Sequence, residues 1–300
     1  MPIPVILDTD IGLDVDDVWA LVFLLKCPEL DVKLIVTDTG DTHYAAGLVA
    51  KLLTIANRQD VSIGIGIPLD NHEQTHNEWL GDYQLEAYEG TVLTDGVGAI
   101  CDTIMNSSEP VTLISIGPVP NIAAALQRQP ELVKNSRFIG MHGSIRRGYM
   151  GAEKPMREYN VKKHSLACQS VFSTDWNMTI TPLDTCGTVI LKEDNFQKVI
   201  AAKDRLTKAI VDNHFGWAKI VKNWPGLSEL DLQIQSSVLY DTVAVYLAFS
   251  EELLDMETLP IIVTDDGKTL IDENGQNIRC AMKWKDYAAF EELLVSRLCD

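Results

Sequence analysis

Short apolar runs alternate with longer amphipathic ones through the first two-thirds of the chain. The runs 4–7 (PVIL), 32–37 (VKLIVT), 61–66 (VSIGIG), 111–117 (VTLISIG), 137–141 (RFIGM) and 178–184 (MTITPLD) are nearly continuous in hydrophobicity. Unbroken apolar character predicts strands covered on both faces, as in a parallel sheet. Between them, 16–26, 44–56, 97–105, 121–129 and 164–172 carry apolar residues at helical spacing. Such alternation predicts βαβ units with right-handed crossovers. The last third reads differently. A long helical region over 195–224 is expected to break near His214–Gly216, and 237–250 reads as a buried helix. Residues 259–272 read as two strands joined by a DDG turn, and 286–298 as a terminal helix. No repeat, low-complexity tract or linker interrupts the chain. The expectation is one α/β domain over 1–300: an open, mostly parallel, Rossmann-like sheet with helices on both faces and a helical C-terminal insertion.

Composition narrows the function classes. The 300 residues suffice for a large core, and 46% hydrophobic with 23% charged residues is ordinary for a globular chain. A formal net charge of −18 argues against a nucleic acid or an anionic membrane as principal partner. The six cysteines form no CxxC pair and no metal-ligand spacing, so reduced, mostly buried thiols in a cytoplasmic protein are expected. The start, MPIPVILDTD, has neither the basic n-region nor the apolar h-region of a signal peptide, and no apolar run is long enough to span a bilayer.

One stretch stands out chemically. Residues 7–22, LDTDIGLDVDDVWALV, hold Asp8, Asp10, Asp14, Asp16 and Asp17 between two hydrophobic runs. The layout puts them between the first strand and the first helix, the edge at which open α/β sheets bind ligands. Helix capping by Asp16, with Asp17 in the first turn, accounts for two of them. Asp8, Asp10 and Asp14 remain, and converging carboxylates suit a hard cation such as Ca²⁺ or Mg²⁺.

Here the sequence resembles the inosine–uridine-preferring nucleoside hydrolase family, whose first signature is DxDxGxDDxxAL after a strand. This chain holds two more residues before its paired aspartates. Anchored on DDVWAL, the resemblance makes Asp16 the general base and Asp17 a calcium ligand, with Asp10 a second; the extra pair leaves Asp14 as a competing base. SIGPVPN resembles the family's GPLTN turn and offers the Pro120 carbonyl as a ligand. REYN resembles its EFN motif, so Glu158 and Asn160 would bind ribose hydroxyls. Two departures follow: Met141-His142-Gly143 replaces MGG, and GYMGAEKPM lacks the asparagine that precedes EFN. VLYDTVAVYLA resembles the HDPLA-type helix start, with Asp241 as the last ligand and Tyr240 where a leaving-group histidine is common. Tyr240 is left open between core packing and stacking or proton donation. Asp41 replaces an asparagine near the attacking water. Together Asp41 and Tyr240 lean towards the purine-type arrangement, with Trp79 as a second face for the base. His72 and His76 share the Trp79 loop and are read as solvated rather than metal-bound. Trp217 and Trp224 are assigned to a lid or to the core, which the sequence does not separate.

The resemblance implies Ca²⁺-dependent hydrolysis of a ribonucleoside N-glycosidic bond through an oxocarbenium-like transition state. It also implies a small-molecule nucleoside substrate and a homodimer or homotetramer. Two alternatives stay open at this level. One is a non-catalytic, calcium-dependent nucleoside- or ribosyl-binding protein. The other is a haloacid-dehalogenase-type phosphatase suggested by ILDTD, although Gly12 stands where that family needs Thr or Val.

Overall fold

A computed structural model describes residues 1–224, 227 and 230–300. Strands β1 (Ile3–Thr9), β2 (Leu30–Thr37), β3 (Ser62–Ile65), β4 (Val92–Leu93), β5 (Val111–Ser115), β6 (Ser136–Met141), β7 (Met178–Thr181), β8 (Leu254–Val263), β9 (Thr269–Ile271) and β10 (Gln276–Trp284) form one sheet. Its order is β4-β3-β2-β1-β5-β6-β7-β10-β8-β9. Every neighbouring pair from β4 to β10 is parallel, and β8 and β9 add an antiparallel edge.

Besides shorter helical turns, the helices are α1 (Asp16–Leu25), α2 (Thr42–Ile55), α3 (Gly96–Met105), α4 (Pro120–Arg128), α5 (Tyr159–Lys163), α6 (Ser165–Phe172), α7 (Glu193–Ala201), α8 (Arg205–Val221), α9 (Thr242–Leu247) and α10 (Tyr287–Cys299). They cover both faces. Because side chains alternate along a strand, Val5 and Leu7 of β1 enter the core beneath α1, α2, α8, α9 and α10, while Ile6 enters the core beneath α3, α4 and α6. That double burial is the reason the strands read as continuous apolar runs.

The chain runs outward from β1 to β4, then returns past β1 to β5. The sheet therefore reverses its winding between β1 and β5. Leu7 pairs with Ile35 and Ile114, and Asp8 with Val36 and Ser115, so the aspartates leave the sheet at the carboxyl edge of this switch point.

Three expectations are corrected. The long helical region breaks at 202–204, and α8 runs unbroken through His214–Gly216. The His214 ring packs against Trp19, Phe196, Phe215 and Trp217, and its Nε2 donates to the Leu232 carbonyl at 2.9 Å. That packing outweighs the ~1 kcal/mol cost of an internal glycine. The expected helix over 237–250 is confined to Thr242–Leu247. The C-terminal third is not a purely helical insertion, since β10 enters the sheet beside β7, burying Ile278 and Cys280.

Candidate active site

Asp16 and Asp17 open α1, and the preceding residue, Val15, makes no side-chain cap. The aspartates are therefore not capping groups. Gly12 adopts φ +137°, where a Cβ would lie 3.3 Å from the Tyr44 ring, so this turn needs glycine. The turn delivers Asp10, Asp14, Asp16 and Asp17 to a cavity of about 260 Å³. Asp241, just before α9, closes the acidic side. Leu13, Ile116, Met141, Tyr149, Tyr159, Tyr240 and Trp224 line the rest, with Glu158 and Asn160. Among the described residues no lysine or arginine lines it.

Carboxylate oxygens of Asp16, Asp17 and Asp241 lie within 4.8 Å of one another. Thr9 Oγ1 donates to Asp17 Oδ1 at 2.5 Å. Burial, then the neighbouring Asp14 and Asp17 charges, pushes the Asp16 carboxyl well above the usual range. Burial, then Asp17, does the same to Asp10, and burial, then Asp16, to Asp241. Asp17 is raised to about 7 and Asp14 to about 6, in both cases by burial first. Several desolvated carboxylates with no cationic side chain are costly unless a positive charge joins them. Their all-oxygen donor set fits a hard divalent cation.

Beneath this layer Asp8 and Asp38 are fully buried. Asn121 Nδ2 donates to Asp8 Oδ1 at 2.8 Å, and Thr39 Oγ1 to Asp38 Oδ1 at 2.6 Å. Burial raises the Asp8 carboxyl to about 6.

Glu158 caps α5. Its carboxylate accepts from the amides of Gly143 (3.0 Å), Asn160 (2.7 Å) and Val161 (3.1 Å), and burial still raises it to about 7. Oε1 accepts from the Asn160 amide and keeps capacity for a hydroxyl donor. Asn160 Nδ2 donates to the carbonyls of Ile116 (2.9 Å) and Met141 (3.0 Å), which directs its amide to this corner. Tyr240 meets Tyr149 edge-to-face at 5.9 Å between ring centroids. Burial, then the Asp14 and Asp16 charges, drives the Tyr240 phenol far above its ordinary range, so it keeps its proton.

Other expected residues are placed elsewhere. Pro120 opens α4, so its carbonyl points along that helix. It faces an outer groove with Ala123 and Gln127, and from that strand end it is Ile116 that lines the cavity. Trp79 lies in another surface groove, with the Lys51 ammonium 4.3 Å from its ring centroid. It cannot form a second face for a base in this cavity; Trp224 and Tyr149 line it instead. Asp41 is exposed outside the cavity, where it caps α2 through the Tyr44 amide at 3.0 Å and accepts from Gln74 at 3.0 Å. His76 is not solvated: it is buried, and burial lowers it to about 4. His142 is buried too, with Nε2 donating to the Gly117 carbonyl at 2.9 Å. Sequence reasoning missed Tyr149. Its only signal was an aromatic residue in the glycine-flanked GYMG stretch.

Among curated proteins, the chain is 32% identical over 204 residues to the non-specific ribonucleoside hydrolase RihC of Klebsiella pneumoniae, covering 65% of this chain and 66% of that one. It is 32% identical over 195 residues to the pyrimidine-specific ribonucleoside hydrolase RihA of Escherichia coli, covering 61% of each. The matched stretches thus span less than two-thirds of those relatives' lengths. The solved structure of a plant nucleoside hydrolase, PpNRh1, superposes over 100% of this chain and 99% of its own with a TM-score of 0.81 at 20% identity, which speaks for the fold. The model of the inosine-uridine preferring nucleoside hydrolase family matches residues 5–292, and the chain belongs to that family.

Proposed function

We propose that this chain hydrolyses the N-glycosidic bond of ribonucleosides to ribose and free base, in a Ca²⁺-dependent reaction that prefers purines. The observation that carries the reading is a ring of buried carboxylates facing an aromatic cavity with no cationic side chain among the described residues. Family membership supports the reaction class. The phosphatase alternative has no support from that match.

Asp10, Asp17 and Asp241 would hold Ca²⁺, with main-chain oxygen at Ile116 in the place expected for Pro120. Bound there, Ca²⁺ supplies chelation of the ribose 2′- and 3′-hydroxyls and polarisation of a water. Asp16 accepts the proton of the attacking water at a carboxylate oxygen, with Asp14 the second candidate. Glu158 Oε1 takes a ribose hydroxyl, and Asn160 orients the sugar. Tyr240 holds its proton and donates a hydrogen bond, while Trp224 and Tyr149 stack on the departing base and exclude water. The purine preference rests on this aromatic lining alone, since the relatives above are named non-specific and pyrimidine-specific.

The test is ribose release from inosine, adenosine, guanosine, uridine and cytidine, with Ca²⁺, with EDTA, and in Asp17→Ala. Ca²⁺-dependent release confined to purines, and lost in Asp17→Ala, is the expected result. Equal release from pyrimidines would overturn the base preference. Binding of nucleosides without release would favour the non-catalytic reading.

A further inference from the structure

The aspartate turn is gripped from outside by groups that the proposed chemistry does not use. Thr75 Oγ1 donates to the carbonyls of Gly12 (3.2 Å) and Leu13 (2.7 Å). Trp217 Nε1, from α8, donates to the same Leu13 carbonyl at 3.0 Å. His76 Nε2 donates to the Asp14 carbonyl at 2.9 Å, and Asn213 Nδ2, also on α8, donates to His76 Nδ1 at 2.9 Å. The tautomer follows from chemistry. A carbonyl only accepts, so Nε2 carries the proton, and in the neutral ring Nδ1 must accept from the Asn213 amide. Thr75, His76, Asn213 and Trp217 are all buried.

These bonds have a purpose beyond filling space. Among the described residues these side chains donate to three successive carbonyls, 12–14, of a half-buried turn, and the Thr75 amide adds a bond to Gly12 at 3.4 Å. Within the turn itself, Thr9 Oγ1 accepts from the Ile11 amide and donates to Asp17 Oδ1, and Asp14 Oδ1 accepts from the Val15 amide. Val15 gives α1 no side-chain cap, and the helix start rests on its carbonyl, which accepts the Val18 and Trp19 amides. Asp16 and Asp17 follow the clamped Asp14 carbonyl by two and three residues. The two residues by which this turn exceeds the common motif fall within the held segment.

We propose that Thr75, His76 with Asn213, and Trp217 form a clamp that positions Asp14, Asp16 and Asp17, so that α8 and the 75–76 segment are positioning elements of the site. The inference rests on the roles given to Asp16 and Asp17 above. None of the clamp residues lines the cavity; they act through the turn's backbone.

The test uses the full chain and three variants. Trp217→Phe removes the N–H and keeps most of the bulk. His76→Leu removes the donor to Asp14. His76→Gln can restore it through its amide. Three quantities are read: hydrogen exchange at residues 12–17 in EDTA, affinity for Ca²⁺ alone by calorimetry, and kcat and KM for inosine at saturating Ca²⁺. In Trp217→Phe and His76→Leu, exchange should rise at 12–17 and not in β1 or β5. Ca²⁺ affinity and kcat should fall by about 10- to 100-fold, with KM held within about 2-fold. His76→Gln should recover most of the loss. If His76→Leu fails to fold, Trp217→Phe alone decides. Unchanged exchange overturns the clamp, and so does faster exchange with Ca²⁺ affinity and kcat like the wild type. A wild type that binds Ca²⁺ but releases no ribose overturns the hydrolase reading instead. The clamp then stands or falls on whether the variants lose Ca²⁺ affinity. A wild type that does neither overturns both.

Discussion

Asp14 and Asp16 are the same side chain two positions apart, yet their surroundings differ. Asp16 shares a tight group with Asp17 and Asp241, whereas Asp14 turns back to accept its neighbour's amide at 2.6 Å. Asp16→Asn is expected to lower kcat by about 10²- to 10⁴-fold while nucleoside binding, read by calorimetry, persists. The same change at Asp14 should cost less; a larger loss there would transfer the base role. Two tryptophans make a second contrast. Trp224 lines the cavity and Trp79 does not. Trp224→Ala should weaken inosine binding by about 1–3 kcal/mol, the usual worth of stacking on a base. Trp79→Ala should leave KM unchanged, and a matched rise in KM for both variants would contradict this placement.

At the level of elements, the aspartates of 10–17 sit where β1 gives way to α1, and Glu158 and Asp241 stand just before α5 and α9. Those junctions are also where helices need capping, so one residue type serves two purposes and the sequence alone does not say which. Asp41 shows the difference. It caps α2 and stands outside the cavity. Asp41→Ala should cost about 1 kcal/mol of stability in thermal unfolding, and Asp41→Asn should restore most of it, since asparagine caps as well. Neither should alter kcat/KM much, and a large loss in both would return Asp41 to the substrate. Asp16 and Asp17 show the reverse: they look like capping residues, and the helix start makes no side-chain cap.

Across the whole molecule, the carboxylates at the switch point carry a pH signature. Glu158 moves from 4.5 to about 7, and Asp17 from 3.8 to about 7, each through burial. A raised folded-state value means that the folded chain binds more protons than the unfolded one between about pH 4 and 7. Unfolding free energy therefore falls as pH rises through that window. The −18 net charge pushes the same way through self-repulsion. Scanning calorimetry in EDTA should show the melting temperature dropping as pH is raised from about 5 to about 7. Saturating Ca²⁺ should flatten that slope, because a cation at the site favours the ionised carboxylates while leaving the rest of the surface charge in place. A slope that Ca²⁺ does not change would place the titrating groups outside the cavity.

Hydrophobic periodicity determined the parallel part of the sheet, most helices of the first two-thirds and the place of the aspartate turn, because these depend on which residues must be buried and on short-range spacing. Asp16 and Asp17 were legible because they open the first expected helix, whereas Asp241 lay inside the helix expected over 237–250 and was picked out only by the resemblance of VLYDTVAVYLA to the family's helix start. Tertiary structure alone decided the rest. It took Pro120 and Trp79 out of the cavity, brought Trp224 and Tyr149 in, inserted β10 beside β7, and buried His76 and Trp217 against the aspartate turn. Those outcomes depend on contacts between residues tens to hundreds of positions apart, such as Trp217 on Leu13, and no local period encodes them.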